Sequence, residues 1–450
     1  MILLALDMMT PTHQSFGLWR HPEADVEQYR DLDFWAAHAR MLEEAGFDAL
    51  FFADVAGVYD VYGGDGRTAI AAGMQYPTLD PLLVVSALAR ETTTLGIAVT
   101  ASVSYESPYL LARKFATLDH LTRGRIGWNI VNSYQRSAMR NVAGTDLLPH
   151  DERYDRADEF MDVVYDLWES SAPEEALLRD AASNAYLDAD RIRPVDHEGR
   201  YFRVPGPATT LAGPQRTPFL FQAGSSPRGV DFALRHAEAI FVSGTSRENV
   251  ARLVRSIEAR AAELGRDRAS FRIVCSITVI AAATDAEARE RHASYLELID
   301  REAALALFAG WTGIDLSAYA PDDALEEVHI EGNRSALQSF TSMDPTRTWT
   351  VADLAEFMAI GARGAVLVGS GETVAREMQD WLAETGLDGF IVDYGIRDVD
   401  LRAFARHVSP VLRERGLIRP AEAAEPTTLR RRLVGADHLR PDHAGRRPAS

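Results

Sequence analysis

The sequence of 450 residues contains one cysteine, Cys275, so a disulfide within the chain is excluded. A chain without disulfides fits a reducing compartment, and we expect a cytoplasmic protein. Cys275 stands among Ile273, Val274 and Ile277, a pattern typical of a buried strand. This setting favours a thiol in the core over a nucleophile.

Basic residues are scarce as well, because 47 Lys and Arg stand against 66 Asp and Glu and give a formal net charge of −19. This balance argues against nucleic acid as a partner, since phosphate binding needs a concentrated basic face. No apolar run reaches the roughly 18 residues that a membrane span needs. The apolar start, MILLALDMM, lacks the basic region and cleavage site of a signal peptide and therefore predicts a first strand.

The sequence also lacks the short motifs of several enzyme classes. No G-x-G-x-x-G follows the first predicted strand and no G-x-x-x-x-G-K-[ST] occurs, which disfavours a doubly wound nucleotide-binding sheet. The twelve histidines show neither His-x-His nor H-E-x-x-H spacing, so we expect no metal site. The missing G-x-S-x-G elbow weakens a serine hydrolase.

What the sequence does contain is a regular alternation of strand and helix signals. Short apolar runs predict strands, and segments with helical spacing follow them. The predicted strands lie near residues 2–6, 48–54, 95–100, 125–131, 219–222, 239–242, 271–281, 364–368 and 389–394. Eight or so such units predict a parallel (β/α)8 TIM barrel, an α/β fold.

Two long polar segments interrupt the alternation. Residues 170–216 are punctuated by proline and glycine, and residues 284–350 are helical at first and then rich in loops. We therefore predict one barrel domain over residues 1–420, with insertions after strands 4 and 7. Residues 421–450 form an arginine-rich tail, which we expect to wrap the surface or to be partly disordered at its end.

Polar side chains stand at the carboxyl ends of the predicted strands, where barrel enzymes place their active sites. They are mostly hydroxyl groups, with imidazole groups and one carboxylate among them. These residues are His13, Asp54, Tyr59, Thr100, Ser102, Asn132, Ser133, Tyr134, His150, Tyr154, Ser225 and Ser226. Such groups suit a polar cofactor that carries a phosphate better than they suit a hydrolytic centre.

The segment QAGSSPRG, at residues 222–229, is the sharpest local signal. A strand ends, a glycine turn follows, and Ser226-Pro227 begins a helix whose first N–H groups can bind an anion. Plain capping of the helix explains the same residues, so both interpretations stay open. Asp54 likewise either belongs to the site or caps a loop. His150 and Tyr154 share one helical face and either bind a ligand or pack.

Several longer segments resemble the bacterial luciferase-like flavin monooxygenases. The resemblance is to the two-component branch that includes nitrilotriacetate, dibenzothiophene-sulfone and long-chain alkane monooxygenases, and it runs from near residue 1 to about Pro441. It rests on FGLWRHPE (Phe16–Glu23), FFADVAGVYDVY (Phe51–Tyr62), SPYLLARKFATLDHLTRGRIGWNIVNSY (Ser107–Tyr134), HDERYDRADEF, HEGRYFRVPGP (His197–Pro207) and QAGSSPRG.

The resemblance implies that FMN binds at the C-terminal face of the barrel. Carried over by position, it implies a set of flavin-binding residues, of which Tyr154 and Ser226 would hold the phosphate. This set is Asp54, Thr100, Ser133, His150, Tyr154, Ser225 and Ser226. The candidate catalytic residues are His13, Tyr59, Gln75 and Tyr134.

The same resemblance implies a reaction and an assembly. A separate NAD(P)H:flavin reductase would supply FMNH2 by diffusion, O2 would be the co-substrate, and a C4a-hydroperoxyflavin would oxygenate a small, apolar organic substrate. The protein would form a homodimer or homotetramer. Because water destroys such an intermediate, the two insertions are candidate lids. The alternatives are a deazaflavin-dependent dehydrogenase of the same superfamily and a flavin-binding protein without turnover.

The pocket departs from the alkane monooxygenase pattern at several positions. Thr10 stands where that pattern has a cysteine, and Tyr134 and Leu307 stand where it has histidines. Asn132 replaces a threonine before Ser133. These exchanges weaken the case for an alkane substrate, and they single out Tyr134 as a residue that bears on substrate choice.

Overall fold

The computed structural model describes residues 1–224, 226–325, 348–420 and 426–447. Its strands are β1 (Ile2–Asp7), β2 (Ala49–Phe52), β3 (Gly96–Ser102), β4 (Ile126–Val131), β5 (Leu177–Asp180), β6 (Ala185–Leu187), β7 (His197–Glu198), β8 (Arg203–Val204), β9 (Phe219–Gln222), β10 (Ala239–Val242), β11 (Arg272–Ala282), β12 (Ala365–Ser370) and β13 (Gly389–Asp393). Its α-helices are α1 (Leu32–Ala45), α2 (Arg67–Ala71), α3 (Val85–Glu91), α4 (Pro108–Thr122), α5 (Arg136–Ala143), α6 (His150–Tyr165), α7 (Pro227–His236), α8 (Arg247–Glu263), α9 (Asp285–Leu298), α10 (Arg301–Thr312), α11 (Val351–Met358), α12 (Gly371–Thr385), α13 (Arg397–Ala403), α14 (Ser409–Glu414) and α15 (Leu429–Val434).

Parallel strands close into the barrel. The strands β1 to β4 pair in succession, and β4 pairs with β9, which pairs with β10. β10 then pairs with β11, β11 with β13, and β13 with β1, which completes the ring. The predicted (β/α)8 barrel, with its insertions after the fourth and seventh barrel strands, is confirmed.

The remaining long strand, β12, extends the wall without joining the ring. Ile277 and Thr278 pair with β13 and with β12 at the same time. Since a strand has two edges, β12 lies on the same edge of β11 as β10, but further along it. This explains why the sequence shows one more strand signal than an eight-stranded barrel requires.

Side chains alternate along the barrel strands with the period of two that a strand dictates. In β1, Leu4 and Leu6 belong to the apolar cluster inside the barrel, whereas Leu3 packs against the surrounding helices. Toward the carboxyl ends the inward positions become polar, as at Thr100 in β3 and Asn129 in β4, whose side chains are hydrogen-bonded at 2.9 Å. The barrel is therefore apolar at its base and polar at its C-terminal mouth.

Helix α15 closes the N-terminal mouth of the barrel. Leu429, Leu433 and Val434 join the apolar cluster inside the barrel. Leu429 lies against the strand positions Gly96 and Gly127, and a Cβ atom at Gly96 would come within 2.6 Å of its Cδ1. Glycine at Gly96 therefore makes room for the plug.

An arginine of this helix is buried with its counterion. Arg430 has no exposed surface, and its Nε lies 2.7 Å from Oε1 of Glu238, which precedes β10. The expectation that the tail wraps the surface is wrong for residues 429–434. Its leucines fall on one face of the helix and fill the barrel, and one of its arginines pairs inside.

The two insertions contribute elements that are not part of the barrel sheet. The first contains two antiparallel hairpins, β5 with β6 and β7 with β8. The second begins with α9 and α10, and residues 326–347 of it lie outside the described residues. Helices α10 and α11 pack with Phe16 and Tyr59 in a separate apolar cluster. Among the helices that the structure describes, none is both long and apolar enough to cross a membrane.

Candidate functional site

A cavity of about 420 Å³ opens at the C-terminal mouth of the barrel. Its wall combines the loop after β2, the segment after β4, the start of α6, the turn before α7 and the end of α10. Tyr59, Tyr134, His150, Tyr154 and Ser226 all line it. The structure therefore brings together residues that lie on four separate segments of the sequence.

One side of the cavity is built around the N-terminus of α7. Ser226 caps this helix, and its Oγ accepts a hydrogen bond of 3.0 Å from the Gly229 N–H. The same Oγ lies 3.3 Å from Nε2 of His150, whose ring meets Tyr154 edge-on at 5.2 Å between centroids. A Cβ atom at Gly229 would come within 2.7 Å of the Tyr154 hydroxyl, so glycine is needed for this approach. Ser226 therefore caps the helix and also lines the cavity, and its predicted contact with an anion stays a prediction.

Positive charge accompanies this side of the cavity. Arg153 lines the wall and donates to the carbonyl oxygen of Ser133 at 2.7 Å through Nη1. Its Nε is buried and has no hydrogen-bond partner within the described part of the chain. Arg228 lies over the Tyr154 ring at 5.4 Å, but its Nη2 is paired with Asp158 at 2.6 Å and with Asp155 at 3.2 Å, so the positive charge offered to the cavity is that of Arg153. Burial raises the pKa of Tyr154, which keeps its hydroxyl a neutral donor. The arrangement suits an anionic ligand.

Buried acceptors face the same region. Among the described residues, the side-chain oxygens of Asn132 and Gln222 have no hydrogen-bond partner. Asn132 lines the cavity directly after β4, and Gln222 ends β9. Buried polar atoms are almost always paired in folded proteins. These two oxygens therefore suit a ligand that carries N–H or O–H donors.

The other predicted flavin-binding residues stand beside the cavity without lining it. The Thr100 hydroxyl donates to the carbonyl oxygen of Phe52 at 2.9 Å, and the Ser133 N–H donates to Oγ of Ser104 at 2.9 Å. Burial, with the nearby charge of Asp80 as a smaller cause, raises the pKa of Asp54 to about 7. Their contact with a flavin stays a prediction.

Ser225 lies outside the described residues, so its predicted part in flavin binding stays a prediction as well. The two neighbours of Ser225 in the chain, Gly224 and Ser226, both line the cavity. The turn therefore faces the cavity at the residues that flank Ser225.

A row of hydrogen bonds joins the four candidate catalytic residues. Nε2 of Gln75 donates to the carbonyl oxygen of His13 at 3.0 Å, and the Tyr59 hydroxyl donates to Oε1 of Gln75 at 3.0 Å. The hydroxyls of Tyr59 and Tyr134 lie 2.6 Å apart, and Nε1 of Trp311 donates to Tyr134 at 3.1 Å. Gln75 has a φ of 47°, a conformation that is uncommon for a residue with a side chain and that clusters at functional sites.

The imidazole of His13 faces away from this row and toward the last barrel strand. Its Nδ1 lies 3.5 Å from Oδ1 of Asp393, and both side chains are at most 2% exposed. Asp393 ends β13 and was not among the predicted site residues. The signal that could have identified it is a carboxylate at the carboxyl end of a barrel strand, the same signal that singled out Asp54.

The positions that depart from the alkane monooxygenase pattern are buried or line the cavity. Leu307 lies in the apolar cluster of α10, Thr10 is fully buried, and Tyr134 is 38% exposed in the cavity wall. Cys275 is buried in β11, where burial raises its thiol pKa to about 12, as a core thiol requires. Within the described residues, no group of His, Cys, Asp and Glu side chains is arranged to hold a metal ion.

Comparisons with known proteins agree with this geometry. Residues 11–389 match the family model for luciferase-like monooxygenases. Dimethyl-sulfide monooxygenase of Hyphomicrobium sulfonivorans is 42% identical over 436 residues, which cover 97% of this chain and 90% of that protein. Long-chain alkane monooxygenase of Geobacillus thermodenitrificans is 39% identical, with 97% of this chain and 94% of that protein covered. The crystal structure of riboflavin lyase with modified FMN and riboflavin is 38% identical and superposes with a TM-score of 0.90, covering 99% of this chain and 98% of that one. The chain belongs to the luciferase-like monooxygenase family.

Proposed function

We propose that this protein is the oxygenase component of a two-component flavin monooxygenase. It receives FMNH2 by diffusion from a separate NAD(P)H:flavin reductase and uses O2 to oxygenate a small, apolar organic substrate. The observation that carries this proposal is the cavity with two unlike sides. One side, around His150, Tyr154 and Ser226, suits a phosphate, and the other, around Tyr59 and Tyr134, is aromatic.

The residues of the first side fit FMN. A phosphate would accept from the Ser226 hydroxyl, the Arg228 N–H in the first turn of α7 and the unpaired Nε of Arg153. The unpaired oxygen of Asn132 would accept from the flavin. Reduced flavin, when bound, supplies the two electrons that let one atom of O2 enter the substrate while the other leaves as water. The chain itself binds and orients the flavin and excludes water from it.

Incorporation of isotope tests the proposed reaction. We expect photoreduced FMN, ¹⁸O2 and the protein to place ¹⁸O in the oxidation products of dimethyl sulfide, without any reductase present. A flavin-binding protein without turnover would bind FMN and release only H2O2. A deazaflavin-dependent dehydrogenase would transfer hydride with its own cofactor and incorporate no ¹⁸O. Tight FMN binding without ¹⁸O incorporation into dimethyl sulfide, methyl phenyl sulfide or n-hexadecane would refute the monooxygenase.

Ser226→Ala is expected to raise the dissociation constant of FMN about 5- to 150-fold, which corresponds to the roughly 1–3 kcal/mol of a hydrogen bond to a charged group. Titration calorimetry measures the constant directly. Ser246→Ala is the matched control, since Ser246 caps α8 through the Asn249 N–H at 3.2 Å and does not line this cavity. Equal FMN affinity in wild type and Ser226→Ala would remove Ser226 from the phosphate site.

We also propose a cytoplasmic homodimer or homotetramer. Large apolar side chains are exposed close together in sequence at Ile70, Tyr76, Leu79 and Leu83, and Leu83 is 79% exposed. Exposed apolar side chains of this size favour association with another protein surface. Light scattering of the purified protein gives the size of the assembly, and a monomer at micromolar concentration would contradict the proposal.

A further inference from the structure

The two ends of the row of hydrogen bonds fix its direction. The indole N–H of Trp311 only donates, so the Tyr134 hydroxyl accepts at that end. The carbonyl oxygen of His13 only accepts, so the amide nitrogen of Gln75 faces it and Oε1 of Gln75 faces Tyr59. Neither end can be reversed without breaking a hydrogen bond.

The two tyrosines in the middle then have no choice of donor. Tyr59 has one hydroxyl proton, and it goes to Oε1 of Gln75. The contact of 2.6 Å between the two hydroxyls therefore uses the proton of Tyr134. Burial raises the pKa of Tyr59 well above its usual value, so the phenol keeps this proton at neutral pH. Every hydrogen bond runs from Trp311 toward His13.

The row joins the second insertion to the barrel. Trp311 stands in the last turn of α10, whereas Tyr59 follows β2 and Tyr134 follows β4. Gly310 lets the helix approach, because a Cβ atom there would lie 2.0 Å from Cδ1 of Tyr59. The guanidinium of Arg363 lies over the Trp311 ring, with its Cζ 5.1 Å from the ring centroid. The C-terminal end of α10 thus meets the barrel through a close packed contact and through the hydrogen bond of Trp311, while at its other end Glu302 accepts from the Thr68 hydroxyl at 3.5 Å.

We propose that Tyr134 and Trp311 are positioning residues that hold α10 over the substrate side of the cavity, and that they give no proton to the reaction. This role in substrate binding rests on the proposed function, whereas the direction of the hydrogen bonds does not. The hydroxyl protons of both tyrosines and the indole proton are used within the wall. Tyr59, Tyr134 and Trp311 therefore present aromatic faces and oxygen lone pairs to the cavity.

Such a wall selects a class of substrate. Sulfur and methyl groups make favourable contacts with aromatic rings, so a small thioether fits. A carboxylate placed there would lose its hydrogen bonds to water and find no donor on these three residues, which disfavours acidic substrates. We therefore expect dimethyl sulfide to be preferred over (methylthio)acetate, a thioether that carries a carboxylate.

Hydrogen exchange of the flavin-free protein tests the hold on α10. Tyr134→Phe removes both hydrogen bonds and keeps the ring, and Trp311→Phe removes the indole N–H. We expect the amides of Arg301–Thr312 to exchange roughly 2- to 10-fold faster in both variants, as loss of one or two hydrogen bonds predicts. Tyr186→Phe is the control, since Tyr186 is 67% exposed in the first insertion. Exchange at the wild-type rate in Tyr134→Phe would overturn the proposal.

Steady-state kinetics with photoreduced FMN separate a positioning role from a proton donor. For Tyr134→Phe we expect a raised KM for dimethyl sulfide and a larger share of H2O2. A fall in kcat of about 10²–10⁴-fold at unchanged KM would instead identify a proton donor and overturn the proposal. Faster oxygenation of (methylthio)acetate than of dimethyl sulfide would overturn the substrate class. If the wild type oxygenates neither probe, the substrate class is overturned, ¹⁸O incorporation into methyl phenyl sulfide or n-hexadecane decides the proposed function, and the exchange experiment decides how α10 is held.

Discussion

Arg430→Met is expected to lower the free energy of unfolding by about 3–5 kcal/mol, because it leaves a buried carboxylate without its counterion. The guanidinium of Arg430 meets both oxygens of Glu238, at 2.7 and 2.9 Å. It also donates to the carbonyl oxygens of Gln215, Thr217 and Pro218 at 3.0, 2.8 and 3.1 Å. Methionine has a similar volume but no donor, so these oxygens would stay buried without the guanidinium, and Glu238 would keep only the hydrogen bond that its Oε2 accepts from the Leu220 N–H at 3.2 Å.

Two further variants make this result specific. Arg431→Met removes a neighbouring arginine whose partner, Asp437, is 53% exposed, and we expect a loss below about 1 kcal/mol. Combining Arg430→Met with Glu238→Leu removes both buried charges and should recover a large part of the loss. Urea unfolding followed by circular dichroism measures all of these variants. A loss for Arg430→Met as small as that for Arg431→Met would show that α15 does not stabilise the barrel through this ion pair.

The same helix shows where prediction from sequence fails. The barrel strands could be predicted because each is a short apolar run that is complete in itself. Leu429–Val434 reads LRRRLV, and its three arginines suggest an exposed segment. Its burial depends on the open base of a barrel that is assembled from segments hundreds of positions away. The four-residue spacing of Leu429 and Leu433 indicates one apolar face, but the residues of this segment alone do not show that the mouth of the barrel is where that face packs.

The two sides of the cavity differ in the same way. The proximity of Ser226 and His150 could be predicted, since both stand in long segments that resemble a family, and the structure places their side chains 3.3 Å apart. Trp311 could not be predicted. Its hydrogen bond to Tyr134 spans 177 positions and forms only when the second insertion folds back over the barrel. Asp393 ends the last barrel strand and lies beside His13 because that strand pairs with the first one. The sequence shows a carboxylate at a strand end, but its contact with His13 follows only from the closed barrel.

Gly310→Ala is expected to lower kcat/KM for dimethyl sulfide about 100-fold, because it moves α10 away from Tyr59 and so displaces the part of the cavity wall that α10 forms. A Cβ atom at this position would lie 2.0 Å from Cδ1 and 2.6 Å from Cε1 of Tyr59. Tyr59 is 3% exposed and hydrogen-bonded to Gln75, so its ring has no room to turn aside. The helix must therefore shift, and a displacement of about 1 Å in a substrate-positioning wall is enough for an effect of this size.

Global stability should change little in this variant. Alanine favours a helix over glycine by about 1 kcal/mol, and this gain offsets part of the roughly 1–3 kcal/mol that overpacking costs. Gly206→Ala adds the same methyl group at a position where no described heavy atom would lie within 4 Å, so it is the matched control. Kinetics with photoreduced FMN and hydrogen exchange of α10 give the two readouts. If Gly310→Ala kept kcat/KM within about 3-fold of the control, the close approach of α10 to Tyr59 could not be what positions the substrate, and the preference for small thioethers would have to arise on another wall of the cavity.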